Sequence, residues 1–280
     1  MQYDYDNIKI SGVNIPHIKY REIGPQGVGK NKSLILNMDQ YIDHSQDEEL
    51  HQECVEGLAK CEEYYKISMY PGAIPPEEEK NLGGRSWTSI VADLDPNSHD
   101  YKVIEKLAKE EQGFSSVYRY IYFKMGGVIP WFFGLYLKKN TFLDKKDGGE
   151  LTDAAKHFPK LMKYIETLPF KEVGRVLFFT TYPNNGVAIH RDSPVMNHKD
   201  HNINLFFTSG SRKSFIWDEI KKKKIYLDPT ARSYYFNNRD FHGVEPEPRF
   251  RYTLRVDGTF TDELCESLGL EDGYTWHEKY

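Results

Sequence analysis

From Lys171 onward the chain breaks into short β-prone runs, separated by turn-forming groups: Pro183-Asn184-Asn185-Gly186, Ser209-Gly210, Asp228-Pro229, Asn237-Asn238 and Pro246-Glu247-Pro248. Runs of this kind, recurring roughly every eight to twelve residues, can satisfy their backbone hydrogen bonds only by pairing back and forth, which implies an antiparallel sandwich or barrel. The first part of the chain reads differently. Ser33–Met38 is an expected short strand, and Glu48–Lys66 an expected helix with Leu50, Cys54, Leu58 and Cys61 on one stripe. Tyr101–Gln112 and Asp153–Thr167 are further expected helices, and the Pro-, Glu- and Gly-rich segment 71–86 an expected loop. The reading is therefore a mainly β (α+β) chain with three regions. Residues 1–170 form a mixed helical and strand region packed on the core, 171–260 the β core and 261–280 a C-terminal tail, all in one compact unit.

Bulk properties narrow the partners. A formal charge of −5 and a pI near 6.1 over 280 residues argue against a nucleic-acid backbone as ligand, because phosphate binding wants a net basic face. The opening Met1–Asp6 has no cationic segment followed by an apolar run, so no secretory signal is expected. The apolar stretch Val128–Leu137 is too short to span a bilayer and contains Pro and Gly, so no membrane partner is expected either. Three cysteines, Cys54, Cys61 and Cys265, make no even disulfide framework and fit a reducing, cytoplasmic setting. Cys54 and Cys61 read as packing residues on one helix face. The run Lys221–Lys224 between two strand-like segments reads as a solvated hairpin tip.

The chemistry concentrates between Tyr182 and Arg255. In an extended strand residues i and i+2 share a face, so His190 and Asp192 can converge on one ion while Arg191 points away. His242, about fifty residues later, supplies a third ligand from another strand. Two imidazoles and one carboxylate form the facial set that holds Fe(II) and leaves open positions for other ligands. A second His-x-Asp, His198–Asp200, lies in polar sequence without alternation and reads as a solvated loop. His190 instead ends the apolar run Val187-Ala188-Ile189, which fixes a ligand by packing. On the strand Arg249–Val256, Arg249, Arg251, Thr253 and Arg255 share one face. A guanidinium there suits a carboxylate, because it donates two parallel hydrogen bonds of fixed geometry. Asn202 and Asn204 share a face of the strand His201–Phe207, either solvated or turned inward toward a bound acid.

The order Tyr182-x-x-x-Gly186-x-x-x-His190-x-Asp192, then His242-Gly243-Val244, then Arg251-Tyr252-Thr253, resembles the Fe(II)/2-oxoglutarate-dependent dioxygenases. Within them it looks most like the aspartyl/asparaginyl β-hydroxylase-like branch, over residues 158–257. Asp192 is a departure, since many members of that branch lack an acidic ligand, and its presence also speaks against a halogenase. The resemblance implies a double-stranded β-helix (jelly roll, cupin-like) core. It implies Fe(II) on His190, Asp192 and His242, with 2-oxoglutarate and dioxygen as co-substrates. The far carboxylate of 2-oxoglutarate would be held by Arg251 with Thr253, Arg255 being the reserve, and Asn202, Asn204 and Tyr182 would be further co-substrate contacts.

The implied activity is hydroxylation of an unactivated C–H bond of an amino acid or peptide-like substrate, with release of succinate and carbon dioxide. Expected pocket walls are Arg85, Trp87, Tyr118, Tyr120, Tyr122 and Trp131, or else these are ordinary strand and core residues. Because histidine ligands bind metal only when neutral, metal affinity is expected to weaken below about pH 6. Two rival classes stand beside this one. A non-oxidative metal-binding barrel, an isomerase or small-molecule binder using Zn or Mn, would not need Arg251. A structural protein with incidental histidines would bind no metal.

Overall fold

The structure is a computed structural model. It describes residues 8–10, 13–15, 25–61, 90–91, 93–110, 117, 120–121, 124, 133–139, 149–181, 183–184, 186–191, 201–208 and 213–270. Within these, the strands are β1 (Ile8–Ile10), β2 (Val13–Ile15), β3 (Ile35–Asn37), β4 (Phe133–Lys139), β5 (Glu150–Leu151), β6 (Phe170–Thr181) and β7 (Val187–His190). They continue with β8 (His201–Leu205), β9 (Ser214–Asp218), β10 (Lys223–Tyr226), β11 (Ser233–Phe236), β12 (His242–Val244) and β13 (Arg251–Phe260). The α-helices are α1 (Asp47–Lys60), α2 (His99–Glu110), α3 (Pro159–Ile165) and α4 (Asp262–Leu268).

Two antiparallel sheets carry the β core. One has seven strands in the order β3-β11-β8-β13-β6-β4-β5, the other four in the order β10-β9-β12-β7, and β1 pairs with β2 apart from them. In the seven-stranded sheet, alternation along β13 separates two chemistries. Tyr252, Leu254 and Val256 fall on one face with Phe178 and Val176 of β6 and Ile203 and Leu205 of β8, and all are buried in the main apolar core. Leu50, Cys54 and Leu58 of α1, Phe158, and Leu161 and Ile165 of α3 complete that core. Each large apolar side chain so buried contributes about 1.5–3 kcal/mol, so this face anchors the helices. Arg251, Thr253, Arg255 and Asp257 fall on the other face with Thr181, Phe179, Leu177 and Arg175 of β6. That face looks onto the four-stranded sheet, and residues of both sheets line a common cleft.

The expected elements recur with informative shifts. Segment 153–167 is not one helix: a 3-10 turn, Asp153–His157, precedes α3, which begins with Pro159 at its first position. Proline lacks the N–H that a helix start cannot use, and the amides of Lys160 and Leu161 donate to the Glu53 carboxylate of α1. The expected strand Arg249–Val256 runs instead from Arg251 to Phe260, which leaves Arg249 outside it and exposed. Of the lysine run only Lys221 and Lys222 form the hairpin tip. Lys223 and Lys224 belong to β10, where Lys224 lies over the Phe215 ring and its ammonium donates to Glu245. The segment read as a tail contains α4, capped by the Thr261 hydroxyl and ended by Gly269 in the left-handed conformation. Strands β3, β4 and β5 of the first region extend the seven-stranded sheet, so the core draws on the chain before residue 171. No helix among the described residues is long and apolar enough to cross a membrane. The expected loop 71–86 and the His198–Asp200 pair lie outside the described residues.

Candidate functional site

Strands β7 and β12 are paired so that His190 and His242 face each other across the ladder. Their ring centroids are 4.3 Å apart. Each ring is tied in the same manner. Nδ1 of His190 donates to the Ala188 carbonyl and Nδ1 of His242 to the Asp240 carbonyl, both at 2.8 Å. A carbonyl can only accept, so both nitrogens carry the proton. Nε2 of each neutral ring is thereby the lone-pair nitrogen, the form in which imidazole ligates a metal. The donor set therefore fits a divalent metal. Among the described residues no group of three or more His, Cys, Asp or Glu side chains able to hold a metal occurs. Asp192, the expected third ligand, lies outside them.

The two rings open onto a cleft between the sheets. Its other walls are Asn204, Thr253 and Arg255 from the inner face of the seven-stranded sheet, and Phe179, Thr181, Val187, Tyr234, Phe236 and Val244 around them. A smaller space adjoins it, sharing Tyr234, Phe236, His242 and Val244 and adding Ile35, Phe215 and Ile216. The combination of a mostly apolar cleft with a few converging polar groups is typical of small-molecule sites.

The predicted acid-binding residues divide. Arg255 lines the cleft and is buried, and its Nε donates to Asp257 Oδ1 at 2.7 Å. Asp257 Oδ2 accepts from Nε of Arg175 at 2.6 Å, so a fully buried carboxylate joins two guanidiniums and holds Arg255 in line with Thr253. Arg251 shares that strand face but is not among the described lining residues. Its Nε donates to Thr181 Oγ1 at 2.6 Å, its Nη1 to the Glu245 carbonyl at 2.7 Å, and Glu247 lies 3.6 Å away. Burial lowers the Arg251 pKa, opposed by the Glu247 carboxylate.

Asn202 and Asn204 are buried rather than solvated. Asn204 Nδ2 donates to Asn202 Oδ1 at 2.8 Å and Asn202 Nδ2 to the Phe236 carbonyl at 3.3 Å, which leaves Asn204 as the member of the pair that reaches the cleft. Tyr182 lies outside the described residues, as do Arg85, Trp87, Tyr118, Tyr122 and Trp131. Tyr120 is described, and its hydroxyl donates to Asp100 of α2 at 2.5 Å.

Three groups escaped the sequence reading. Tyr234 and Phe236 line the cleft, and the alternation in Ser233–Phe236 would have found them once that strand was placed opposite His242. Asp257 and Arg175 act together only because β13 and β6 are in register. Asp240 gave no signal in the sequence. Burial pushes its carboxyl up to about 6, opposed by backbone amides of Gln26 and Gly27 that donate to it.

No protein-family description matches the chain, and no curated protein is detectably similar to it. Solved structures of 2-oxoglutarate/Fe(II) oxygenases do resemble it loosely. A prolyl-4-hydroxylase of Pseudomonas putida is 11% identical over 45% of this chain and 70% of its own, with a TM-score of 0.28. An oxidoreductase of the 2OG-Fe(II) oxygenase family from Burkholderia pseudomallei is 7% identical over 45% and 66%, with a TM-score of 0.33. A prolyl hydroxylase of Trichoplax adhaerens, solved with a hypoxia-inducible-factor peptide fragment, is 9% identical over 80% and 95%, with a TM-score of 0.29. Likenesses this loose decide nothing by themselves, and the functional reading rests on the chain's own residues.

Proposed function

We propose that the chain is a 2-oxoglutarate-dependent non-haem iron oxygenase, its two sheets forming a double-stranded β-helix of the kind that its sequence resembles. The observation that carries this reading is the histidine pair: two rings side by side, each with Nδ1 tied to a carbonyl two residues back, open to a cleft that also holds a buried arginine. His190 and His242 would hold Fe(II) through Nε2, with Asp192 as the carboxylate ligand. When bound, iron supplies the redox chemistry by which dioxygen and 2-oxoglutarate yield succinate and carbon dioxide while a hydroxyl is placed on a substrate C–H bond.

The chain's own residues bind and orient. The β13 face Arg251, Thr253 and Arg255 takes the far carboxylate of 2-oxoglutarate. Arg255 is aimed by Asp257, and Asn204 is held by Asn202 as a further polar contact. Phe179, Val187, Phe236 and Val244 exclude water around the reacting end. An amino acid or a peptide side chain is the substrate class that the reading favours. Membership of the aspartyl/asparaginyl β-hydroxylase-like branch rests on the sequence resemblance alone.

The test is anaerobic addition of Fe(II) and 2-oxoglutarate to the full chain. A visible metal-to-ligand absorption band is expected, lost in His190→Ala and His242→Ala, followed by succinate release when oxygen is admitted with amino acids and peptides. Arg251→Ala and Arg255→Ala identify the anchor by which one raises the 2-oxoglutarate dissociation constant. A wild-type chain that gives no band overturns the reading, as does a band indifferent to both arginines.

A further inference from the structure

The two histidines are tied alike, yet what fixes their carbonyl partners differs. Ala188 sits within β7, bracketed by the residues Val187 and His190 that pair with β12 on either side of it. Asp240 lies in the turn between β11 and β12, ahead of the first residue of the strand. Its carbonyl is therefore only as well placed as the turn itself.

Within the turn the Asp240 amide donates to the Asn237 carbonyl at 2.9 Å and the Arg239 amide to Asn237 Oδ1 at 3.0 Å, and a further grip on it comes from the far end of the sequence. Asp240 Oδ1 accepts from the Gln26 amide at 2.6 Å and Oδ2 from the Gly27 amide at 2.8 Å. Asn237 Nδ2, at the head of the same turn, donates to the Gly27 carbonyl at 3.3 Å. Asp240 is itself buried, so these bonds form away from water, where a carboxylate needs such donors most. The partner segment is preorganised as well. Val28 and Ser33 exchange backbone hydrogen bonds at 2.8 and 3.0 Å. Gly27 adopts φ of 68°, and a Cβ there would stand 2.3 Å from the Lys32 carbonyl oxygen, so only glycine allows both adjacent amides to point at one carboxylate.

We infer that Asp240 is a positioning residue for His242: its carboxylate, gripped by the Gln26 and Gly27 amides, fixes the carbonyl that sets the tautomer and direction of the His242 ring. The N-terminal turn 25–33 is thereby part of the metal-binding apparatus, although it reaches no ligand directly. The effect on the ring stands on the contacts alone, whereas the consequence for metal rests on the proposed function.

The experiment separates the two. In the metal-free full chain, long-range proton–nitrogen NMR reads the tautomer of each imidazole, and His190 and His242 should both be Nδ1-protonated. Asp240→Asn should leave His190 so and bring His242 to a mixture of the two neutral tautomers. Gly27→Ala, which disturbs the grip without altering the histidine-bearing turn, should do the same. Mn(II) affinity by calorimetry should fall on the order of 10- to 100-fold in both, as for other groups that orient metal-bound histidines. A folded Asp240→Asn or Gly27→Ala chain with an unchanged His242 tautomer overturns the inference. So does failure of both variants to fold, since the brace would then be global rather than local to His242. If the wild type binds no Mn(II) but the tautomer shifts, the brace stands and the oxygenase reading falls.

Discussion

Asp257 stands between two buried guanidiniums, with one oxygen on Arg175 and the other on Arg255. A paired buried charge is weak evidence of stability, but removing the shared partner leaves two cations where water cannot reach them, at a cost of about 3–5 kcal/mol. Asp257→Ala is therefore expected to lose that much stability in urea titration, and a chain as stable as the wild type would contradict the bridging role. At this scale the sequence was legible for the ligand types. His190 and His242 were named from alternation and spacing, Thr253 and the reserve Arg255 with the help of the family resemblance, and all four line one cleft. The residues that orient them were not legible. An aspartate after a valine, or one two residues before a histidine, carries no periodic mark, and its role depends on which distant amide or guanidinium comes beside it.

Helix α1 shows what elements add. Its stripe of Leu50, Cys54 and Leu58 packs as expected, and the cysteines of the helix segment, Cys54 and Cys61, are buried thiols. Burial pushes the Cys54 pKa up, beyond any reactive range. The close approach to the next layer depends on Gly57, where a Cβ would come within 2.4 Å of the Phe158 ring, itself fully buried. Gly57→Ala should therefore cost about 1–3 kcal/mol through overpacking, despite the better helix propensity of alanine, and lower the melting temperature accordingly. A rise in melting temperature would show that the helix moves freely. The break between the 3-10 turn and α3 has the same origin. Pro159 marks the start, but the Glu53 side chain that satisfies the start comes from α1, and local propensity is blind to it.

For the whole molecule the cleft matters because its walls belong to two sheets. A ligand bound there holds β7 and β12 against β8, β11 and β13, and stabilises the folded chain by mass action. Mn(II) and 2-oxoglutarate, each at about 100 times its dissociation constant, should add about 2.7 kcal/mol apiece and together raise the melting temperature by about 10 °C. Chelation should reverse the rise, and His242→Ala should abolish it. A wild-type chain whose melting is unmoved by both ligands would leave the cleft without its proposed occupant.

By itself the sequence determined the period-two alternation that makes Arg251, Thr253 and Arg255 share a face, the turns that force antiparallel pairing, and the residue types suited to a metal and an acid. Such properties follow from neighbours within a few positions. Only the tertiary structure decided that His242 lies beside His190, that Arg255 reaches the cleft while Arg251 is engaged by Thr181 and Glu245, and that Gln26 and Gly27 grip Asp240. Those outcomes depend on sheet order and register. The chain reaches them through the summed burial of many side chains, and no single stretch of residues encodes that sum.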